Sequence, residues 1–376
     1  MKLYAPPNTD HSIEFQFYGR VKTYFKSHFL LDADKWVFVN NLQDADIVFV
    51  HPNEFVHGVN GINDFSELLD ENQILVVMLL ESSVAISKDT IGKISNKHKK
   101  TIFISTDAGG NDLQYIFYDI MFNRHKLFYT DYTDSLKTHF WSKGVKKEAF
   151  SLAEIRKSHT SNTRLFLIPN RIRYDRQYFH NDIKIKLDSF LKTTLSETTY
   201  YYGNPFAVNG TYLRANGYFN QVLPDHIKHI PWVPIANYYY NNSYVSVCIE
   251  SHCDTPTDFD TFFSPSEKYF DPLIKGNFPL IFSSPFTISN LKKYYGFKFP
   301  DWIDYSYDNV INFDDRLNAY FNSIRKVATL SVTEVHDLYL RDKHILDYNR
   351  NVFFAKSYDS LYDKIQKNLK KLNWLH

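Results

Sequence analysis

Three runs in the first third of the chain, Ile47 to Val50, Ile74 to Leu80 and Thr101 to Ser105, are continuous stretches rich in apolar and β-branched residues. A strand with one wet face alternates polar and apolar side chains. A strand without that alternation has both faces covered, as in a parallel sheet layered between helices. Crossover helices belong between such strands, and 62–70, 88–98 and 111–122 are the segments expected to form them. Upstream, Lys2 to Ala5 reads as a short strand, Pro6 to Asp10 as a turn and Ile13 to Phe29 as a helical stretch, before a further run from Trp36 to Val39.

A second alternating set starts at Arg164 to Ile168 and continues through a helix near 176–192. It then takes in Tyr200 to Tyr202, Tyr244 to Ile249 and Phe278 to Phe282. The chain has 376 residues, whereas a single core usually stops growing at roughly 250 to 300. Two Rossmann-like domains facing a cleft are therefore expected, with the polar stretch Lys157 to Thr163 as linker. The expected units are 1–160, 161–355 and a terminal helix over 356–376. In that helix Leu361, Ile365, Leu369 and Leu372 share one face, suited to packing back on the first domain.

With 44% apolar and 23% charged residues the chain can bury a core and is not compositionally disordered. No apolar run reaches the roughly 18 residues of a bilayer span, and Met1 to Ser12 lacks a signal-peptide apolar region. A cytoplasmic protein is expected. The two cysteines, Cys248 and Cys253, flank His252, but no second ligand pair completes a closed zinc site. A disulfide has no support in a reducing compartment.

In open α/β sheets ligands bind beyond the carboxyl ends of the strands, so the polar residues following each strand carry the functional information. After Arg164 to Ile168 come Arg171, Arg173 and Arg176 at the start of a helix. Free N–H groups at a helix start and fork-shaped guanidinium donors both favour phosphate oxygens; a solvated basic helix end has the same pattern. A second segment, Ser264 to Phe282, places Glu267 and Lys268 before a helical stretch, then Gly276 and a buried strand. Here a carboxylate can accept both hydroxyls of a ribose while the ammonium neutralises a phosphate; a capped helix leading into a strand is the plainer reading. Third, Glu81 closes the run Ile74 to Leu80, and Asp107 follows Thr101 to Ser105. Either is placed to serve as general base toward an acceptor hydroxyl, or merely to cap the next helix. Asp258 and Asp260 match a short metal-binding signature too brief to be informative.

The segment Ser266-Glu267-Lys268 with Gly276 and Pro279, the later run from Asn290 to Phe299, and Ser306 to Asp308 resemble a pattern of phage and viral glycosyltransferases of the GT-B type. The first portion also resembles the donor motif of α1,3-fucosyltransferases, in which Thr stands where this chain has Ser266. The resemblance covers roughly 160–320. It implies that Glu267 contacts the donor ribose and Lys268 the diphosphate, with Asp271 competing for the ribose and Arg171, Arg173 and Arg176 placed like the phosphate-binding arginines of those enzymes. It further implies a UDP-sugar or, second, a GDP-sugar donor, no required metal, and an inverting mechanism with Glu81 as base and Asp107 as the other choice.

For the acceptor, residues 88–147 hold eleven Lys/Arg against six Asp/Glu, a local basic excess that can track a phosphate backbone. The expected acceptor is 5-hydroxymethylcytosine in phage DNA, flipped from the duplex and given glucose, arabinose or a related sugar in the host cytoplasm. The alternatives are a fucosyltransferase-like enzyme acting on a glycan or lipopolysaccharide, and a non-catalytic nucleotide-sugar-binding module.

Overall fold

The structure, a computed structural model, describes residues 1–4, 35–50, 69–79, 94–105, 115–117, 163–168, 181–196, 200–202, 240–250, 253, 267–356 and 360–374. It is α/β, with two parallel sheets. The first contains β1 (Lys2–Tyr4), β2 (Val37–Phe38), β3 (Ile47–Val50), β4 (Ile74–Leu79), β5 (Thr101–Ser105) and β6 (Tyr115–Phe117), in the order β2-β1-β3-β4-β5-β6. Every pairing in it is parallel. The absence of alternation in these strands has the expected cause. Ile74, Val76, Ile102 and Ile104 point into one core, and Leu75, Val77 and Phe103 into another on the opposite face. Residues 111–122, expected to form a helix, instead contain β6. Tyr115-Ile116-Phe117 is a short apolar run that periodicity cannot assign, and pairing along β5 decides it as a strand.

The second sheet has the order β10-β9-β7-β8 and is also parallel throughout. Its strands are β7 (Arg164–Ile168), β8 (Tyr200–Tyr202), β9 (Ser243–Ile249) and β10 (Phe278–Phe282), with α1 (Asn181–Thr194) between β7 and β8 and α2 (Glu267–Lys275) between β9 and β10. β9 is buried at all its positions. Helix α2 covers one face through Tyr269, Phe270, Leu273 and Ile274, which join Cys248 and Ile281. On the other face lie α1, α4 (Phe313–Ala328) and α5 (Val332–Ala355), packed over Val245, Val247, Leu280 and Phe282. Cys248 and Cys253 are both buried and free.

Gly276 turns the chain from α2 into β10 with a φ of 85°, a conformation that costs a glycine little. Pro279 is accommodated because β10 is an edge strand, where a missing N–H breaks no ladder bond. The outward groups of that edge are not left bare. The Tyr305 hydroxyl donates to the Pro279 carbonyl at 2.9 Å. The Tyr307 hydroxyl donates to the Ile281 carbonyl at 3.0 Å and accepts from the Ile281 N–H at 3.2 Å. Two tyrosines thus close an edge that would otherwise invite pairing with another chain.

After α5 the chain reaches the first sheet. Helix α6 (Leu361–Lys371) buries Leu361, Ile365 and Leu369 in the core that also contains Leu3, Trp36, Ile47, Ile74 and Ile102. Trp36 meets Tyr362 edge-on at 5.0 Å, and Lys35 pairs with Asp363 at 3.1 Å. Among the described residues no helix is long and apolar enough to cross a membrane.

Candidate functional site

In the second sheet β8 lies on one side of β7 and β9 on the other. The chain therefore reverses its direction of winding between β7 and β9, and in open parallel sheets the carboxyl edge at such a reversal is the usual ligand position. Two features of the sequence serve this edge. The stretch holding Arg171, Arg173 and Arg176 follows β7 directly in the chain, although these arginines lie outside the described residues. Helix α2 runs back toward the start of β10, which brings its first turn beside the end of β9.

Glu250 is the first residue beyond β9. Its N–H donates to the Phe282 carbonyl at 2.8 Å, tying it to the end of β10. Its carboxylate, on a residue 5% exposed, accepts from Lys268 Nζ at 2.9 Å. Lys268 is thus held at the carboxyl edge rather than extended into solvent. Next to it, the buried Tyr269 has its phenol held far above the ordinary range, first by burial and then by the negative charge of Glu250, while Ser283 and Thr287 moderate the effect. Tyr269 is therefore a neutral phenol at any physiological pH.

The surrounding loops are fixed by two buried charges. Arg316, 2% exposed, sends Nε to the Ser283 carbonyl at 3.1 Å and Nη2 to the Cys253 carbonyl at 2.7 Å. Its Nη1 reaches the carbonyls of Val310 and Ile311 at 2.9 and 2.8 Å. One guanidinium therefore joins the segments after β9 and after β10, a task for a planar fork of donors. Asp308 accepts from the N–H groups of Ile288 and Ser289 at 2.8 and 3.0 Å and so caps the short helix α3 (Thr287–Asn290). Burial raises its carboxyl while these bonds pull it back. The turn into α3 passes through Phe286, a non-glycine residue with a φ of 65°.

Of the residues expected from sequence, Glu267 opens α2, with its side chain outside the description. Lys268 stands at the edge as described. Asp271 is buried one helical turn further on, close enough to Lys275 to favour that ammonium. Glu81 and Asp107 each fall two positions beyond the ends of β4 and β5 in the chain, outside the described residues, as do Asp258 and Asp260. The Ser306 to Asp308 part of the resemblance has structural employment in this fold: Tyr307 closes the sheet edge and Asp308 caps α3.

Glu250 was not singled out by sequence reasoning. The available signal was its place, a carboxylate directly after β9, the longest strand of the second set. The basic run Lys97 to Lys100 precedes β5, so it lies at the amino edge of the first sheet, a strand length of roughly 16 Å from the carboxyl edge. Lys97 and Lys99 are exposed, while His98 is buried, its Nε2 within 2.9 Å of the Gln73 carbonyl. Comparison with protein-family models finds no match to this chain, and comparison with curated proteins finds no significant match.

Proposed function

We propose that the chain is a glycosyltransferase of the GT-B type, holding a nucleoside diphosphate sugar at the carboxyl edge of the second sheet. The observation that carries the reading is the reversal of winding between β7 and β9, with Lys268 held at the end of β9 and an arginine-rich segment following β7. Lys268, together with the arginines assigned from the sequence, would supply cations for a diphosphate leaving group, and fixed cations of this kind stabilise such a group without a bridging metal. Glu267, at the start of α2, is the residue assigned to the ribose, and Asp271 is its competitor. Glu81 is assigned as the base toward the acceptor hydroxyl, with Asp107 as the other choice.

The proposed acceptor is 5-hydroxymethylcytosine in DNA, and the sugar a hexose or pentose. A glycan acceptor is the second reading. It is favoured by the position of Lys97 to Lys100 on the amino edge of the first sheet, away from the edge that Glu81 and Asp107 follow. Incubating the protein with hydroxymethylated DNA, unmodified DNA and a hydroxyl-rich oligosaccharide, each with a panel of UDP- and GDP-sugars, separates the readings. A mass gain on the hydroxymethylated nucleoside supports the first and a gain on the oligosaccharide the second. Donor binding without turnover on any acceptor supports a binding module, and absence of donor binding removes the proposal.

A further inference from the structure

We propose that Glu250 is a positioning residue: it sets the Lys268 ammonium for an anionic oxygen of the bound nucleotide, so that the acid and the base beyond β9 work as one unit. The inference rests on the donor-site reading above and adds a residue that neither the spacing nor the resemblance assigned. Its support is geometric. Glu250 is anchored through its own N–H to Phe282 at 2.8 Å, so its carboxylate projects from the rigid end of two adjacent strands rather than from a loop. Lys268 Nζ lies 2.9 Å from that carboxylate, with side-chain exposures of 22% for the lysine and 6% for the glutamate. The lysine keeps part of its side chain exposed, while its partner is nearly closed to solvent.

Stability does not explain the pair. Taking a carboxylate out of water costs about as much as its ion pair returns, and two well-packed apolar residues in its place would serve the fold equally well or better. What the pair does supply is order. A lysine side chain free in solvent must give up many rotamers on meeting a phosphate, whereas one already held by a buried carboxylate meets it in place, the preorganisation that lowers the cost of binding. Tyr269, next in the chain, keeps the carboxylate company as a neutral phenol and adds no competing charge.

The test is a double-mutant cycle read by calorimetric titration of UDP and GDP into the full-length protein, with melting curves to establish that each variant is folded. Glu250→Gln and Lys268→Met are each expected to weaken the nucleotide that binds the wild type by about 10-fold, and the double variant to be no weaker than either alone. Independent, multiplying losses would overturn the inference, because Glu250 would then act through something other than Lys268. Unchanged or tighter binding in Glu250→Gln would also overturn it, marking the carboxylate as a mere competitor for the ammonium. If Glu250→Gln does not fold, Glu250→Asp takes its place in the cycle, since withdrawing the carboxylate by one methylene also unseats the lysine. Failure of the wild type to bind either nucleotide sinks the donor-site reading and this inference with it. Normal binding by the wild type together with an additive cycle sinks only the inference.

Discussion

A lysine in the core of the second half shows how far a single residue can set the behaviour of the fold. Lys275 is 1% exposed at the end of α2, its ammonium 5.1 Å from the centre of the Tyr240 ring. Burial lowers its pKa from 10.5 to about 8, with Asp271 opposing. The unfolded chain therefore binds the extra proton between about 8 and 10.5, where the folded chain has released it. The contribution of this group to stability is complete above that window and is lost as pH falls through 8. Urea titrations should show stability rising from pH 7.5 to 9.5 relative to a Lys275→Met variant, and the variant should be more stable at pH 7 by as much as about 3 kcal/mol. Equal slopes for the two proteins would show that the lysine reaches water. At this scale the sequence was readable only in part. Lys268 stands out because it sits beside an acid at the start of a helix, but its actual partner, Glu250, is 18 positions away and meets it only after β9 and α2 have packed.

Elements were easier to read where their side chains followed a simple period. The buried strands β3, β4, β5, β7, β9 and β10 could be recognised from their uninterrupted composition, and α6 from the spacing of its leucines. The long α5 could not, because its inward stripe is interrupted by polar groups: Val335, Tyr339, Leu346 and Phe353 alternate with His336, Asp342 and Asn349. Each of the latter has a partner, Asp342 accepting from Arg341 Nε at 2.9 Å and Nη2 at 2.7 Å. His336 meets the Tyr244 hydroxyl at 2.9 Å, and the Asn349 amide binds both the N–H and the carbonyl of Lys298 at 2.8 Å. What marks the start of α5 is its capping box. Ser331 accepts from the Glu334 N–H, while Glu334 accepts from the Ser331 N–H at 2.7 Å. Replacing Ser331 by Ala should cost about 1 kcal/mol in chemical denaturation, and Ser331→Asp, which can still cap, should recover most of it. If both variants unfold like the wild type, packing rather than capping fixes where α5 begins.

For the molecule as a whole, the first sheet is a core completed from outside its own stretch of sequence. Ile365 is fully buried against residues as distant in the chain as Leu3 and Ile102. Ile365→Ala should therefore cost about 2 to 5 kcal/mol, whereas Lys35→Ala, which removes an exposed ion pair to Asp363, should cost less than about 1 kcal/mol. Thermal melts of the two variants check the contrast. The amphipathic character of α6 could be foreseen, and its docking on the first sheet was anticipated from the need to cover an apolar stripe. The two-tyrosine closure of β10 and the four-carbonyl clasp of Arg316 could not, since each depends on backbone groups that carry no trace in the sequence. The packing of α6 also bears on the order of events at the ribosome. While the chain is being made, the first sheet emerges early, yet α6 cannot cover the surface around Trp36, Ile47 and Ile74 until residues 361–371 have been made. That sheet must wait, partly formed, for the second sheet and its helices to be synthesised, and a nascent chain stalled before α6 would present to chaperones the face that α6 covers.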